Sequence, residues 1–322
     1  MIKRYDIDTG VEKSRRLLHF ALSVLLMAGT IFAFYATHKN SENGANEVLA
    51  QAVETPAAVA APVEFTAPVP WPGYGHAAYV VPTTNQAAAS DPEDKQVPVA
   101  SLAKVITALA ILKKSPLQEG QHGPAFSYIQ QDVAIYEDYV RKNGSVAPIE
   151  VGHAISQYQA LQAIILISAN NIADSQVIRT FGSMEAYIEY ANAMVKEFGL
   201  TKTVVADASG YSPNTVSTAK EMAQLGHLYM QNPVLRQIAL QESANIPVAG
   251  KIRNYNAFMN EEGMVGIKVG DTDQAGKCFI AANMSTKPGE KASIAVVLGA
   301  ENLRKAAEDA KAILLAGEHS NN

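Results

Sequence analysis

The stretch from Val97 to Leu112 limits what this chain can fold into more than any other. After Pro98, apolar residues fall at Val99, Leu102, Val105, Ile106, Leu109 and Leu112, the spacing of a helix with one buried face. Pro98 keeps that helix from starting earlier. So apolar a helix needs a large body around it. The 322-residue chain can supply one, being 48% hydrophobic and only 18% charged, enough for one or two domains. Ser101 then lies in the first turn, and Lys104 one turn later on the same side. A serine hydroxyl is a poor nucleophile until a base takes its proton. A lysine can be that base when burial or a second cation lowers its pKa. The helix N-terminus also favours the developing negative charge. Taken alone, the pair reads as an N-cap serine and a surface lysine, so the rest of the chain must carry the case.

Several classes are set aside early. A net charge of -5 with no basic domain gives no support to nucleic-acid binding. The single Cys278 can form no internal disulfide and has no second cysteine for a zinc site. The seven histidines are scattered without paired spacing, so neither a metal nor another cofactor is expected.

Residues 1–16 are polar and carry Lys3, Arg4, Lys13, Arg15 and Arg16. Residues 17–36, Leu17 to Ala36, have the length and apolarity of a membrane anchor. The basic flank places the N-terminus in the cytoplasm and everything after Ala36 outside, giving a single-pass membrane protein with an extracytoplasmic domain. The competing reading is a cleaved signal peptide. Cleavage after Ala36 would put Phe34 where a small residue is wanted, and Val48-Leu-Ala50 lies far from the apolar run. Residues 37–72, rich in Ala, Pro and Val towards their end, read as an extended spacer. The globular domain spans 73–318.

Within it, His76 to Val81 reads as a strand ended by Pro82, and residues 83–96 as polar turns. Helices are predicted from the Ser101 turn to Lys114, over Asp132 to Val140, from Ile155 to about Ile167, and from Ile172 to Phe181. Ser183 to Phe198, Ser217 to about Met230, and Pro233 to Leu240 follow as helices, and Thr201 to Ala206 as a strand. The loop Asp207 to Asn214 receives no catalytic role. The quartet Ser168-Ala-Asn-Asn171 breaks an apolar helical region. Short Ser and Asn side chains at such a break usually cap. The alternative turns Ser168 and Asn170 into a cleft, Ser168 to relay a proton and Asn170 to hold a substrate carbonyl or a lysine. Gly266 to Gly270, Lys277 to Met284 and Ala292 to Gly299 form an antiparallel meander with a turn near Pro288-Gly289, and Glu301 to Leu315 a closing helix. Helices before and after consecutive strands suggest a helical lobe against an antiparallel sheet, an α+β fold.

Three motifs now stand in order: Ser101-x-x-Lys104 opening a helix, Ser168-x-Asn170 breaking one, and Lys268-x-Gly270 on a strand. With the flanks Ala100 to Ala108, Phe198-Gly-Leu-Thr, Ser209-Gly, Ser217-Thr-Ala and Gly266 to Gly276, the chain resembles the D-alanyl-D-alanine carboxypeptidase family over residues 75–300. These are the low-molecular-weight penicillin-binding proteins of the S11 serine peptidase type. The resemblance implies a β-lactamase/transpeptidase-like fold, an antiparallel sheet with flanking helices and a helical lobe. It implies hydrolysis of the terminal D-Ala-D-Ala bond of peptidoglycan stem peptides through an acyl-serine on Ser101, with β-lactams as covalent inhibitors. Lys104 would be the base and Ser168 the proton relay to the leaving D-alanine. Asn170 would orient Lys104 or the stem-peptide amide. Lys268 would depress the Lys104 pKa and attract the substrate carboxylate on a strand edge of Lys268, Val269, Gly270, Asp271 and Thr272. Backbone N–H groups of Ser101 and Asp271 would form the oxyanion hole.

The departures are as informative. The family's Lys-Thr-Gly is Lys-Val-Gly here, and Val269 cannot make the threonine's hydrogen bond to the carboxylate, worth about 1.5–3 kcal/mol. Thr272 is the candidate substitute. Ala169 replaces a common glycine. Many relatives carry a further C-terminal β domain and amphipathic tail, whose anchoring role the N-terminal helix would take. A D,D-endopeptidase would use the same residues, and a non-catalytic cell-wall binder is the reading Val269 motivates. A serine β-lactamase would need a glutamate ahead of a Leu-Asn pair, and none lies between Asn170 and Lys268.

Overall fold

A computed structural model describes residues 68–81, 86–257, 260, 263–284 and 292–319. The expected anchor, nearly all of the spacer and the Pro288-Gly289 turn lie outside them. Among the described residues no helix is long and apolar enough to cross a membrane.

The strands of the main sheet are β1 (His76–Val81), β2 (Gln86–Ala89), β3 (Met264–Thr272), β4 (Gly276–Asn283) and β5 (Ser293–Ala300). They form one antiparallel sheet in the order β2-β1-β5-β4-β3. The helices are α1 (Ala103–Lys114), α2 (Gln130–Arg141), α3 (Gln157–Leu166), α4 (Asn170–Phe181), α5 (Met184–Glu197), α6 (Ala219–Gln231), α7 (Pro233–Ala239) and α8 (Leu303–His319). Strand and helix letters fix most of these. Ser156 caps α3 with Gln159 in a capping box, and Ser183, Thr218 and Asn232 cap α5, α6 and α7.

Period-two alternation gives the sheet two apolar faces. On one, Tyr79, Phe279, Ala281 and Val297 pack against Ala306, Ala310 and Ile313 of α8. On the other, Val80, Ile280 and Val296 join the core of the helical lobe. Gly226 lets α6 lie close on that face, since a Cβ there would sit 2.9 Å from Ile294 and 3.0 Å from Ile280.

Four expectations change. The α1 helix is buried from Ala103 to Leu112 on every side, Lys104 and Thr107 included, because α3, α4, α5 and α6 pack around it. Thr201 to Ala206, despite its strand composition, contributes only a bridge between Val204 and Val216. The segment called polar turns contains β2, which pairs with β1. Val69 and Trp71, assigned to the spacer, pack with Tyr74 against the α8-side cluster.

Candidate active site

Ser101 sits in a 3₁₀ turn, Ala100–Leu102, that leads into α1. The turn is tighter than the expected first α-helical turn. Its predecessor Ala100 has φ +48°, a left-handed conformation that costs an L-residue about 1–2 kcal/mol. Two glycines hold it there. Gly210, itself at φ +72°, approaches so closely that a Cβ would lie 1.8 Å from the Ala100 carbonyl oxygen. On the other side a Cβ on Gly270 would lie 3.2 Å from the Ala100 Cβ. The loop after α5 and the β3 strand thus clamp the backbone just before the serine, which remains half-buried.

Lys104 is fully buried. Its Nζ lies 2.8 Å from Ser101 Oγ, 2.7 Å from Asn170 Oδ1 and 2.6 Å from the Ser209 carbonyl oxygen. Burial lowers its pKa from 10.5 to about 7, against the opposing pull of Asp207 and Asp174. Both protonation states fit the geometry. The ammonium donates to all three oxygens. The neutral amine donates to the two that can only accept, Asn170 Oδ1 and the Ser209 carbonyl, which leaves its lone pair for the Ser101 hydroxyl proton.

Asn170 opens α4, two residues earlier than the sequence pattern suggests, and its N–H donates to the Ser145 carbonyl at 2.8 Å. Asn171 holds the same loop by exchanging bonds with Ala147, at 3.0 and 2.9 Å. The loop comes so close that a Cβ on Gly144 would lie 2.8 Å from Asn170 Nδ2. Ser168 has φ +61°, and its buried Oγ has no hydrogen-bond partner. A strained residue with an unmet hydroxyl is a departure that stability alone does not explain.

On β3, the register slips between Ile280 and Ala281 of β4, so that Ile267 is an extra residue opposite neither. This bulge leaves Ile267 and Lys268 both buried towards the lobe. Lys268 Nζ donates to the Val269 carbonyl at 2.9 Å. Burial, and next the Lys104 charge, push its pKa well below the ordinary lysine value. The resemblance implies that Lys268 helps to depress Lys104. Burial is the leading cause at both lysines, and the repulsion between the two buried ammonium groups acts on the pair. Val269 turns to the opposite face, against the α8-side cluster. Its N–H donates to Asn256 Oδ1 at 2.8 Å, while Asn256 Nδ2 reaches the Ile165 carbonyl at 3.0 Å and so ties β3 to α3. Asp271 is exposed and pairs with Lys277. Thr272 Oγ1 accepts from Ala275 N at 3.2 Å in the β3–β4 turn.

The structure therefore gathers Ser101, Lys104 and Asn170 by direct hydrogen bonds, and places Lys268 within electrostatic reach of Lys104. It also brings in partners the sequence did not indicate: the Ser209 carbonyl and the acids Asp174 and Asp207. A backbone carbonyl has no letter of its own. Asp174 did have a signal, four residues after Asn170 and hence on the same helix face. Among the described residues no group of three or more His, Cys, Asp or Glu is placed to hold a metal ion.

The sheet, the lobe and the Ser101 turn between them have the fold of the DD-peptidases and penicillin-binding proteins. A D-alanyl-D-alanine carboxypeptidase from Mycobacterium tuberculosis superposes with a TM-score of 0.68 at 21% identity, over 82% of this chain and 97% of its own. Penicillin-binding protein D2 from Listeria monocytogenes, solved in an ampicillin-bound form, superposes with a TM-score of 0.62 at 24% identity, over 76% of this chain and 96% of its own. More specifically, the chain belongs to the S11 peptidase family, D-alanyl-D-alanine carboxypeptidase, whose model matches residues 75–302. A D-alanyl-D-alanine endopeptidase from Pseudomonas aeruginosa is 28% identical over 58% of this chain, a match that spans 59% of that relative's length.

Proposed function

We propose that this protein is a serine D,D-peptidase that cleaves D-Ala-D-Ala-type bonds of peptidoglycan stem peptides through an acyl-serine on Ser101. The observation that carries the reading is the 2.8 Å contact between Lys104 Nζ and Ser101 Oγ, made by a buried amine whose pKa lies at about 7. At neutral pH a substantial fraction of Lys104 is uncharged and free to act as a base. Ser101 Oγ forms a bond to the carbonyl carbon of the penultimate D-alanine as its proton passes to Lys104. The tetrahedral intermediate collapses, the C–N bond breaks, and the departing amine takes a proton by way of Lys104 or Ser168. Water then attacks the ester and regenerates the serine. Asn170 and the Ser209 carbonyl hold Lys104 throughout. Backbone N–H groups of Ser101 and Asp271 are assigned to the oxyanion. The Lys268–Thr272 edge is assigned to the substrate, whose carboxylate, on pairing with Lys268, favours its charged form.

The same centre suits a terminal D-alanine or a crosslink. The endopeptidase name of the Pseudomonas relative favours keeping the crosslink as a second substrate. We place the domain outside the cytoplasmic membrane, tethered by residues 17–36. β-Lactams, which present the same acyl group, are assigned to Ser101 as inhibitors. The test is to incubate the purified protein with a stem pentapeptide and with a crosslinked muropeptide dimer. Release of D-alanine or of monomers, lost in Ser101→Ala, is the expected result. Turnover of neither substrate, with intact fold, refutes the enzyme in favour of a wall-binding relative.

A further inference from the structure

Beneath Lys104 lies a chain of polar groups that the reaction above does not use. Asp174 Oδ2 is 2.9 Å from the Tyr139 hydroxyl, which is 3.1 Å from Ser209 Oγ, which is 2.8 Å from Asp207 Oδ2. Three oxygen–oxygen contacts need three protons, and the two hydroxyls carry only two. The third must come from a carboxyl group. Asp207 is poorly placed to supply it, because its oxygens already accept from Tyr211 N at 2.9 Å, Ser212 N at 3.2 Å and Thr215 Oγ1 at 2.5 Å. Each of those groups donates to Asp207, which leaves it the acceptor end of the chain. Asp174 has only Tyr139, and its buried Oδ1 has no hydrogen-bond partner.

We propose that Asp174 is a positioning residue that works in its protonated form. Its carboxyl proton completes a chain through Tyr139 and Ser209 to the Asp207 carboxylate, and so fixes the Ser209 carbonyl against which Lys104 is held. In that state Asp174 donates to Tyr139, Tyr139 to Ser209 Oγ, and Ser209 to Asp207, with every contact satisfied. When Asp174 ionises, the chain is one proton short and a negative charge appears beside Lys104, which then holds its own proton more tightly. Burial raises the Asp174 pKa to about 7, so the change falls at neutral pH. The other groups acting here are Asp207 from its loop, Tyr139 and Lys142 from α2 and its end, Tyr187 from α5, and Lys268 from β3.

The catalytic consequence rests on the serine-peptidase reading, whereas the protonation does not, so two readouts separate them. Infrared difference spectra of the wild-type protein against Asp174→Asn should contain a protonated-carboxyl band at pH 6 that fades with a midpoint near neutrality. The asparagine amide can donate to Tyr139 as the acid does. Asp174→Asn should therefore react with a fluorescent penicillin at pH 7 within about threefold of wild type, with the inflection at neutral pH displaced. Asp174→Ala should lose about tenfold or more. A folded wild type with no protonated-carboxyl band at pH 6 overturns the proposal. So do equal losses in the Asn and Ala variants. Should Asp174→Ala fail to fold, the band and the Asn profile still decide. A band present in a wild type that no penicillin labels would instead count against the peptidase reading.

Discussion

Replacing Lys104 by methionine isolates the free energy of burying its amine. The folded-state pKa is about 7 against an ordinary 10.5. Between those values the unfolded chain holds a proton that the folded one does not, so wild-type stability rises with pH, by about 1.4 kcal/mol for each pH unit. From pH 7.5 to 9.5 the rise attributable to Lys104 is about 3 kcal/mol, and across the full window about 5 kcal/mol. Lys104→Met has no such group. It also strands three oxygens, of Ser101, Asn170 and Ser209, at about 1–3 kcal/mol for each one left unmet. That loss is nearly independent of pH, so the slope of the difference is the cleaner signal. Lys268 is present in both proteins, and above pH 7.5 Lys104 is largely neutral and no longer depresses it. Below pH 7 Asp174 titrates as well, which is why the alkaline window is chosen. Urea unfolding at intervals of half a pH unit would measure it. The wild-type minus variant stability should climb by about 3 kcal/mol over the window. Parallel curves would mean that Lys104 keeps an ordinary pKa, and the base assignment would go with them.

Other substitutions test other joints of the site. Ser168→Gly relieves a positive φ and removes a buried, unmet hydroxyl. Chemical denaturation should find it as stable as wild type or more stable by about 1 kcal/mol, while penicillin acylation falls at least tenfold. Gly210→Ala would drive a Cβ to 1.8 Å from the Ala100 carbonyl oxygen at a φ of +72°. It should lower stability by about 3 kcal/mol or more in urea titration, against a near-neutral Gly73→Ser control, where the backbone has no positive φ and a Cβ meets open space. Asn256→Ala frees the Val269 N–H and the Ile165 carbonyl. A loss of about 2–4 kcal/mol is expected, with faster amide hydrogen exchange at Val269.

The sequence made Ser101, Lys104 and Asn170 legible because helix periodicity and a helix break put short-range geometry into the letters. Lys268 was legible as part of a strand motif, but the bulge at Ile267 that re-aims it was not, since register depends on the partner strand. Val269 drew attention as a missing hydroxyl, yet its side chain faces the α8 layer, as alternation from Lys268 requires. The loop Asp207 to Asn214 read as turn chemistry alone. Its role comes from a carbonyl at Ser209 and from a carboxylate facing a lysine about a hundred residues earlier, both products of tertiary packing. The pairing of β1 with β5 across more than two hundred residues is of the same kind, with nothing local to specify it.

The nucleophile itself is the point on which all of this turns. Intact mass spectrometry after incubation with excess penicillin, followed by peptide mapping, should find one penicilloyl adduct on the peptide containing Ser101, absent from Ser101→Ala and strongly reduced in Lys104→Met. An unmodified Ser101 peptide in a folded protein, or an adduct that survives in Ser101→Ala, would contradict an acyl-serine centred on this side chain.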